Sequence, residues 1–505
     1  MLAQNLFDGL GYTYYNLTPE LHFPPLFPLI LGVFNWVVRD WEVVSRVAYV
    51  IFGGLIPLPV YLLGRDMYGR RVGFIAAFLA AILPAFTAGV LFAESMSEPP
   101  YLFFVFSGIY LIYKASLLQR FPFYALAGVS LSLAYLTRPE GALYFAIGFL
   151  YLAGLLVLWR PLPPPAALVR LAVFVASFLL PASPYILYLH SHTGKWSLTT
   201  KGITSYTTTR ALVDRDPITF QKDTWGLNED GEIKYYAHDY DQSLLKLLMG
   251  PYRDRVIPDI LENLKVAHGT LRRNWVLGSW PLRLAVLGFL GAIFLRRRYS
   301  AELLNLLVVA SPASLLIFFI RERLVYCMLL PVLLWFACAI GYLFQFIEWK
   351  GLARMAGFRR LQTGILQSII LLALAAYFTL NGFNYFEREH KDDDLAEVWK
   401  AAAWLKENTP GDSVVMSTGP EVAFHAGRRW LPVPVASRAK VVEYGRKRGA
   451  THLCLRGRYL AGRPEQKREL FDGAQDFDHL ELLRKDGEKL PGPVFLVYRF
   501  KDPLQ

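Results

Sequence analysis

Apolar segments long enough to cross a membrane recur along this chain of 505 residues, and they limit its fold more than any other feature. A transmembrane helix needs roughly 20 apolar residues to cross roughly 30 Å of hydrocarbon. Since 54% of the residues are hydrophobic and only 19% are charged, a purely soluble enzyme is disfavoured. The sequence predicts a mainly α, polytopic transmembrane helical bundle of about ten spans, at 44–63, 72–90, 98–116, 121–137, 140–159, 167–189, 280–296, 300–320, 323–346 and 362–381.

Arginine and lysine are concentrated in one of the two alternating sets of loops between these spans. By the positive-inside rule, the basic set is cytoplasmic. The net charge of +12 is therefore largely a topology signal, and a nucleic-acid role is disfavoured because no basic stripe lies on a soluble face. The opposite side would face the periplasm or exterior of a bacterial plasma membrane. The basic loops are 64–71, 117–120, 160–166, 297–299 and 347–361.

This orientation divides the chain into three consecutive parts. Residues 1–43 would form a first external loop with interfacial helices, including a short apolar helix over 24–37. The bundle would occupy 44–381 with a long external loop at 190–279, and 382–505 would form an external α/β domain, because strand and helix patterns alternate there. An external N-terminus without a leader predicts a first helix upstream of Met1.

Two groups of charged residues on the external side are candidate site residues. Glu94 and Glu98 are four residues apart, so they could share a helix face and bind an acceptor or a divalent cation such as Mg²⁺ or Mn²⁺. The alternative is a polar helix cap. Arg138 lies between two apolar spans and suits a fixed phosphate, because arginine binds phosphate in a bidentate manner. The alternative is an interfacial arginine paired with Glu140.

A third group is Arg321 and Arg323, which are separated by one residue and followed by Tyr326. Together with Arg138, these arginines favour a lipid-phosphate substrate, whereas the alternative is a turn whose charges solvate the interface. His22 could contact substrate or a metal, although such a residue is more often only interfacial.

The order and spacing of several motifs resemble the GT-C superfamily of membrane glycosyltransferases. The chain is similar to the branch that contains the dolichyl-phosphate-mannose protein mannosyltransferases, the aminoarabinose transferases and bacterial lipopolysaccharide sugar transferases. The matching stretches are AQNLFDGLGY (3–12), HFPPLFPLILG (22–32), YLLGRDMYGRRVGFIAAFLAAILP (61–84), ESMSEP (94–99), LAYLTRPEGAL (133–143) and RERLVYCMLLPVL (321–333).

The resemblance implies transfer of a hexosyl or pentosyl sugar from a polyprenyl phosphate to a hydroxyl of a lipid, glycan or protein acceptor at the outer face. It implies that Arg138, with Arg321 or Arg323, stabilises the departing phosphate, and that Glu94 or Glu98 supports the acceptor or a divalent ion. The family's catalytic carboxylate follows a first helix and precedes the stretch that matches Leu2, so it would lie upstream of this sequence.

Three alternatives remain at this level. Glu20 is a nearby carboxylate, but it has no motif support as a base. A protein of the same fold that binds lipid-linked sugars or partners without catalysis is the second hypothesis. A secondary transporter is disfavoured, because neither an internal repeat nor mid-membrane charges are evident.

Overall fold

The structure is a computed structural model of the whole chain. It describes residues 2–14, 18–87, 97–159, 162–201, 216–233, 249–250, 253–273, 276–296, 299–315, 322–349, 360–389, 394–486 and 495–501.

Helices dominate the first four fifths of the chain. Prolines and glycines set many of their ends, as at Pro57 in the first turn of one helix and at the left-handed Gly194 after another. The helices up to residue 389 are α1 (Leu2–Phe7), α2 (Leu26–Val38), α3 (Trp41–Leu55), α4 (Pro57–Tyr68), α5 (Arg70–Ile82), α6 (Glu98–Leu118), α7 (Phe121–Thr137), α8 (Gly141–Gly154), α9 (Pro164–Thr193), α10 (Pro217–Trp225), α11 (Arg253–Leu271), α12 (Ser279–Gly291), α13 (Tyr299–Ala310), α14 (Leu329–Trp349) and α15 (Arg360–Glu389).

The remaining elements alternate between helix and strand. They are α16 (Asp394–Asn408), β1 (Val414–Ser417), α17 (Pro420–His425), β2 (Arg429–Pro432), α18 (Arg438–Lys447), β3 (His452–Arg456), α19 (Pro464–Gln466), β4 (Leu480–Asp486) and β5 (Phe495–Phe500). Short 3₁₀ turns cover Ser311–Leu315, Glu322–Met328 and Gly457–Leu460, and π-helical turns cover Leu155–Trp159, Ala292–Arg296 and Lys467–Asp472.

Within the described residues, seven helical segments are long and apolar enough to cross a membrane, which confirms a mainly α, multi-pass architecture. The other three predicted spans contain helices of 13, 17 and 12 residues, namely α5, α7 and α13. Residues 88–90 and 316–320, at the ends of two of these predicted spans, lie outside the described residues. The seven segments are Trp41–Tyr68, Glu98–Leu118, Gly141–Leu158, Pro164–Thr193, Ser279–Arg296, Val325–Glu348 and Gly364–Tyr385.

The chain divides into two compact units. The membrane unit comprises Leu21–Thr199 and Asp254–Glu389. The α/β unit comprises Met1–Glu20, Thr200–Arg253 and His390–Gln505.

Helices of the membrane unit approach one another closely where glycine removes a side chain. A Cβ atom at Gly288 in α12 would overlap the carbonyl oxygen of Trp335 in α14. A Cβ atom at Gly128 in α7 would likewise overlap the carbonyl oxygen of Phe174 in α9. Small residues at such crossings allow backbones to pack tightly, which is a main source of helix association in membranes.

Substitution of Gly288 by alanine is expected to destabilise the membrane unit by about 1–3 kcal/mol, because the rigid backbone of α14 must move away. Thermal unfolding of the purified protein in one detergent measures the change. Gly154→Ala is the matched control, because no heavy atom lies within 4 Å of the position its Cβ would take. Equal stability of the two variants would contradict the close crossing of α12 and α14.

The α/β unit contains one five-stranded sheet with the strand order β2-β1-β3-β5-β4. Strands β2, β1 and β3 are parallel, whereas β5 is antiparallel to both β3 and β4. The predicted α/β character of the tail is confirmed.

Earlier segments of the chain complete this unit, whereas the sequence analysis divides the chain into consecutive parts. The ring of Tyr14 lies edge-on to that of Trp430, with 5.6 Å between the ring centres. The ring of Trp225 is also edge-on to that of Trp430, with 6.2 Å between the ring centres. Arg463 donates to Gln221 Oε1 at 3.0 Å and to the carbonyl oxygen of Val433 at 2.8 Å. The contacts of Tyr14 and Trp225 with Trp430, and that of Arg463 with Gln221, join residues more than two hundred positions apart, so hydropathy along the sequence does not reveal them.

His452 in β3 makes the stability of the α/β unit dependent on pH. Burial, with help from Arg499 and Arg428, lowers the pKa of this histidine below its ordinary value. Just below pH ~6.5 the unfolded chain therefore binds more protons than the folded chain. The contribution of His452 to stability is fully present above that pH. It is lost as the pH decreases toward the pKa of the folded state, by at most about 1.4 kcal/mol per pH unit. Denaturant unfolding of the whole protein between about pH 5 and 7.5 measures this. His452→Gln should flatten the dependence, and the exposed His479→Gln is the control; an unchanged profile in His452→Gln would refute the assignment.

Candidate functional site

Arg138 is positioned by the end of helix α7. Its backbone N–H still donates to the carbonyl oxygen of Ala134 at 2.8 Å, but its own backbone is extended. Pro139 causes this change, because a residue that precedes proline is disfavoured in the α conformation. Gly141 then starts α8, and a Cβ atom there would overlap the backbone nitrogen of Tyr135. The turn is therefore tight, and it leaves Arg138 little freedom to move.

Two carboxylates hold the guanidinium of Arg138. Nη1 donates to Glu98 Oε1 at 2.5 Å, and Nη2 donates to Glu140 Oε1 at 3.3 Å. Glu98 is the first residue of α6, where an acidic side chain also suits the helix dipole. We call these three residues the Arg138 cluster.

Burial differs among the three side chains of the Arg138 cluster. The side chain of Glu98 is 3% exposed and that of Arg138 is 12% exposed, whereas that of Glu140 is 21% exposed. Burial by itself lowers the pKa of Arg138, but Glu140 and Glu98 raise it, and the net pKa lies above the ordinary value for arginine. The guanidinium therefore stays charged at every physiological pH.

Aromatic and polar side chains surround this ion pair inside the bundle. The guanidinium carbon of Arg138 lies 5.7 Å from the ring centre of Tyr101, and the ring of Tyr101 lies edge-on to Tyr144. The hydroxyl of Tyr144 is 2.8 Å from Ser311 Oγ. Cys327 interacts with the hydroxyl groups of both tyrosines. The 3₁₀ turn that contains Cys327 therefore lies beside the Arg138 cluster, although it is distant in sequence.

A second charged cluster lies at the other end of α6. Asp66 accepts from Lys114 Nζ at 3.0 Å and from Arg65 Nε at 2.8 Å. Because Lys114 follows Glu98 by 16 residues in α6 and the helix rises about 1.5 Å per residue, the two clusters lie roughly 24 Å apart, which is most of the thickness of a hydrocarbon core. The predicted external and cytoplasmic groups of this helix are thus at opposite ends of it.

The structure brings together three of the predicted site residues, namely Glu98, Arg138 and Glu140. The pairing of Arg138 with Glu140, given above as the alternative to phosphate binding, is present, and it coexists with a closer pair to Glu98. Tyr101 was not predicted, although it lies three residues after Glu98 and so shares its helix face.

None of the contacts described above involves the other predicted residues. Glu94 and Arg321 lie outside the described residues, and Arg323 is described only as backbone of a 3₁₀ turn. Tyr326 is buried within the apolar core of the membrane unit. Glu20 is buried in the α/β unit, and His22 of the membrane unit lies edge-on to its neighbour Phe23.

A divalent cation has weak support from the residues that are described. No group of three or more His, Cys, Asp or Glu side chains among them is arranged to hold a metal ion. Glu98 Oε1 accepts from a guanidinium, and a second cation beside it would be repelled.

Comparison with known proteins identifies the class to which this fold belongs. The family model described as dolichyl-phosphate-mannose-protein mannosyltransferase matches residues 22–186, a range that includes the whole Arg138 cluster. No curated protein matches the chain significantly in sequence.

Solved structures of two kinds of membrane glycosyltransferase share the fold. The Archaeoglobus fulgidus oligosaccharyltransferase in the apo form has a TM-score of 0.58 at 16% identity, over 90% of this chain and 64% of that protein. Its complex with Zn and sulfate has a TM-score of 0.61 at 15% identity, over 96% of this chain and 74% of that one. ArnT from Cupriavidus metallidurans bound to undecaprenyl phosphate has a TM-score of 0.54 at 11% identity, over 98% of this chain and 92% of ArnT.

The protein is therefore a multi-pass membrane protein with the GT-C glycosyltransferase fold. More narrowly, the first third of the chain matches the mannosyltransferase family model, and the resemblance found in the sequence is confirmed. The chain spans about two thirds (64%) of the length of the archaeal oligosaccharyltransferase.

Proposed function

We propose that this protein transfers a sugar, of the hexosyl or pentosyl type, from a polyprenyl-phosphate donor to a hydroxyl group of a lipid, glycan or protein acceptor. The observation that carries the proposal is the buried Arg138 cluster at one end of α6, within the stretch that matches the mannosyltransferase family. A fixed guanidinium at the end of a membrane helix is suited to the phosphate of a lipid carrier.

The proposed reaction is a displacement at the anomeric carbon of the donor sugar. The acceptor oxygen forms a bond to that carbon while the bond from the carbon to the phosphate oxygen breaks. The departing polyprenyl phosphate gains negative charge as the bond breaks, and Arg138 stabilises that charge more strongly than it stabilises the bound donor. The acceptor hydroxyl loses its proton to a carboxylate within hydrogen-bond reach.

Glu98 and Glu94 remain the proposed supports of the acceptor. Glu98 lies on the guanidinium of Arg138, so an acceptor beside it would also lie close to the departing phosphate. Arg323 and Tyr326 are proposed to assist Arg138, because Cys327 of the same 3₁₀ turn interacts with Tyr101 and Tyr144. Arg321 is proposed to assist as well, because it is separated from Arg323 by one residue.

The structural neighbours support the lipid class of the donor. One structure of the archaeal oligosaccharyltransferase is a complex with an inhibitory peptide and a dolichol-phosphate, and one structure of ArnT is bound to undecaprenyl phosphate. By extension, a polyprenyl phosphate is the proposed carrier here. We also propose that the Arg138 end of α6 faces the exterior or periplasm, because the basic loops lie at the other end.

A second candidate is a protein of the same fold that binds lipid-linked sugars without transferring them. The pairing of Arg138 with two carboxylates favours it, because a guanidinium that is already neutralised has less attraction for a phosphate.

Turnover separates the two candidates. The purified protein in nanodiscs would be incubated with a panel of polyprenyl-phosphate sugars and with membrane lipids, glycans or peptides as acceptors. Release of the free polyprenyl phosphate together with glycosylated acceptor supports the transferase. Saturable donor binding without release supports the binding protein, and the absence of both overturns the proposed function.

A further inference from the structure

The guanidinium of Arg138 is already in contact with two carboxylates, those of Glu98 and Glu140. A phosphate that approaches Arg138 therefore meets two carboxylates already bound to it, and like charges side by side in a buried site repel one another strongly. Like-charge repulsion therefore favours phosphate binding when one carboxylate moves away from the guanidinium.

The two carboxylates are not equivalent. Glu98 contacts Nη1 at 2.5 Å and its side chain is 3% exposed, so its removal from the guanidinium would leave a charge in the bundle interior. Glu140 contacts Nη2 at the longer distance of 3.3 Å, and its side chain is 21% exposed. Glu140 is thus the more exposed of the two carboxylates and the one with the longer contact to the guanidinium.

The two carboxylates also differ in how the chain holds them. Glu98 starts a helix of 21 residues that packs in the core of the membrane unit. Glu140 lies in the two-residue turn between Arg138 and α8, where a change of side-chain rotamer moves no helix. The geometry therefore provides one fixed counter-ion and one exchangeable counter-ion.

We propose that Glu140 is an exchangeable counter-ion that the phosphate of the lipid carrier displaces from Nη2 of Arg138, while Glu98 stays bound to Nη1. This inference rests on the proposed function, since it assigns a step of binding to the same site. Without a donor, Glu140 occupies Nη2 of Arg138. The exchange makes Glu140 a specificity-determining residue, because a neutral polyprenol cannot replace a carboxylate on a guanidinium.

The test measures the binding of undecaprenyl phosphate and of uncharged undecaprenol to the full-length protein in nanodiscs of zwitterionic lipid. Three variants are compared with the wild type: Glu140→Gln, Glu98→Gln and Arg138→Gln. Glu140→Gln keeps the size of the side chain but removes the competing charge, so undecaprenyl phosphate should bind about tenfold more tightly and undecaprenol should bind as before.

Glu98→Gln is the matched control, because it removes the same charge from the same guanidinium. Glu140 would then be the remaining counter-ion of Arg138 in this cluster and would hold it more firmly, so the affinity for undecaprenyl phosphate should not rise. A merely structural role of Glu140 would give weaker binding in Glu140→Gln, whereas the proposed exchange gives tighter binding. Glu140→Ser repeats the test if the glutamine variant is poorly folded.

The outcomes separate the inference from the function on which it rests. If Arg138→Gln loses binding and Glu140→Gln binds no more tightly than the wild type, the exchange is overturned and the phosphate site stands. If Arg138→Gln binds undecaprenyl phosphate as well as the wild type, the phosphate site at Arg138 is itself overturned.

Discussion

The variant Arg138→Ala is expected to lower the turnover of a polyprenyl-phosphate sugar by about 10²–10³-fold, which is the usual cost of removing one preorganised donor to a developing negative charge. The effect should fall mainly on kcat, because Arg138 interacts more strongly with the departing phosphate than with the intact donor. Release of polyprenyl phosphate under saturating and subsaturating donor separates kcat from KM.

Arg170→Ala is the matched control for this experiment. Arg170 also lies over an aromatic ring, that of Phe121, and donates to the carbonyl oxygen of Gln119 at the opposite end of α6. Arg170→Ala should therefore lose a similar amount of side-chain packing as Arg138→Ala, but it should leave turnover nearly unchanged. Equal losses of turnover in the two variants would show that Arg138 acts only through stability.

The substitution Arg138→Ala also removes the guanidinium that pairs with the buried Glu98, which destabilises the folded state. Arg138→Lys keeps the charge but loses the two-pronged geometry of the guanidinium. A folded lysine variant with turnover at least tenfold below the wild type would attribute the loss to the guanidinium itself. Wild-type turnover in that variant would contradict a specific role for it.

Hydropathy predicts the membrane architecture well, because a span is a local property of consecutive residues. The helices α6, α8, α9, α12 and α14 lie close to predicted spans. The pairing of Arg138 with Glu140 was also foreseen as an alternative, since the two residues are neighbours in one turn. The pair between Arg138 and Glu98 joins residues forty positions apart, and it requires knowledge of how α6 packs against α7.

The composition of the α/β unit could not be predicted for the same reason. Tyr14 and Trp225 are ordinary aromatic residues in polar segments, and only the position of Trp430 gives them a common partner. Within the membrane unit, Glu302 lies in a predicted span, but its burial was not foreseen. Its partner Tyr68 lies 234 residues away in the sequence, so the sequence pattern carries no sign of this contact.

Glu302 in α13 is the centre of a buried polar network. It accepts from the hydroxyl of Tyr68 at 2.6 Å and from Trp335 Nε1 at 2.8 Å, and it thereby joins α13 to α4 and α14. Asn305 Nδ2 donates to the same tyrosine hydroxyl at 2.9 Å. Glu302 itself is only 2% exposed. The network fastens three helices through one carboxylate.

Glu302→Ala is expected to lower the free energy of unfolding by about 3 kcal/mol, because two buried donors lose their acceptor and each costs about 1–3 kcal/mol when it stays unsatisfied. Glu348→Ala is the control: Glu348 pairs with Arg71 at 3.0 Å, but the side chains are 40% and 47% exposed, and such surface pairs contribute only about 0–1 kcal/mol. Unfolding of both variants in the same detergent gives the comparison. A loss in Glu302→Ala no larger than that in Glu348→Ala would mean that the buried network does not hold α4, α13 and α14 together.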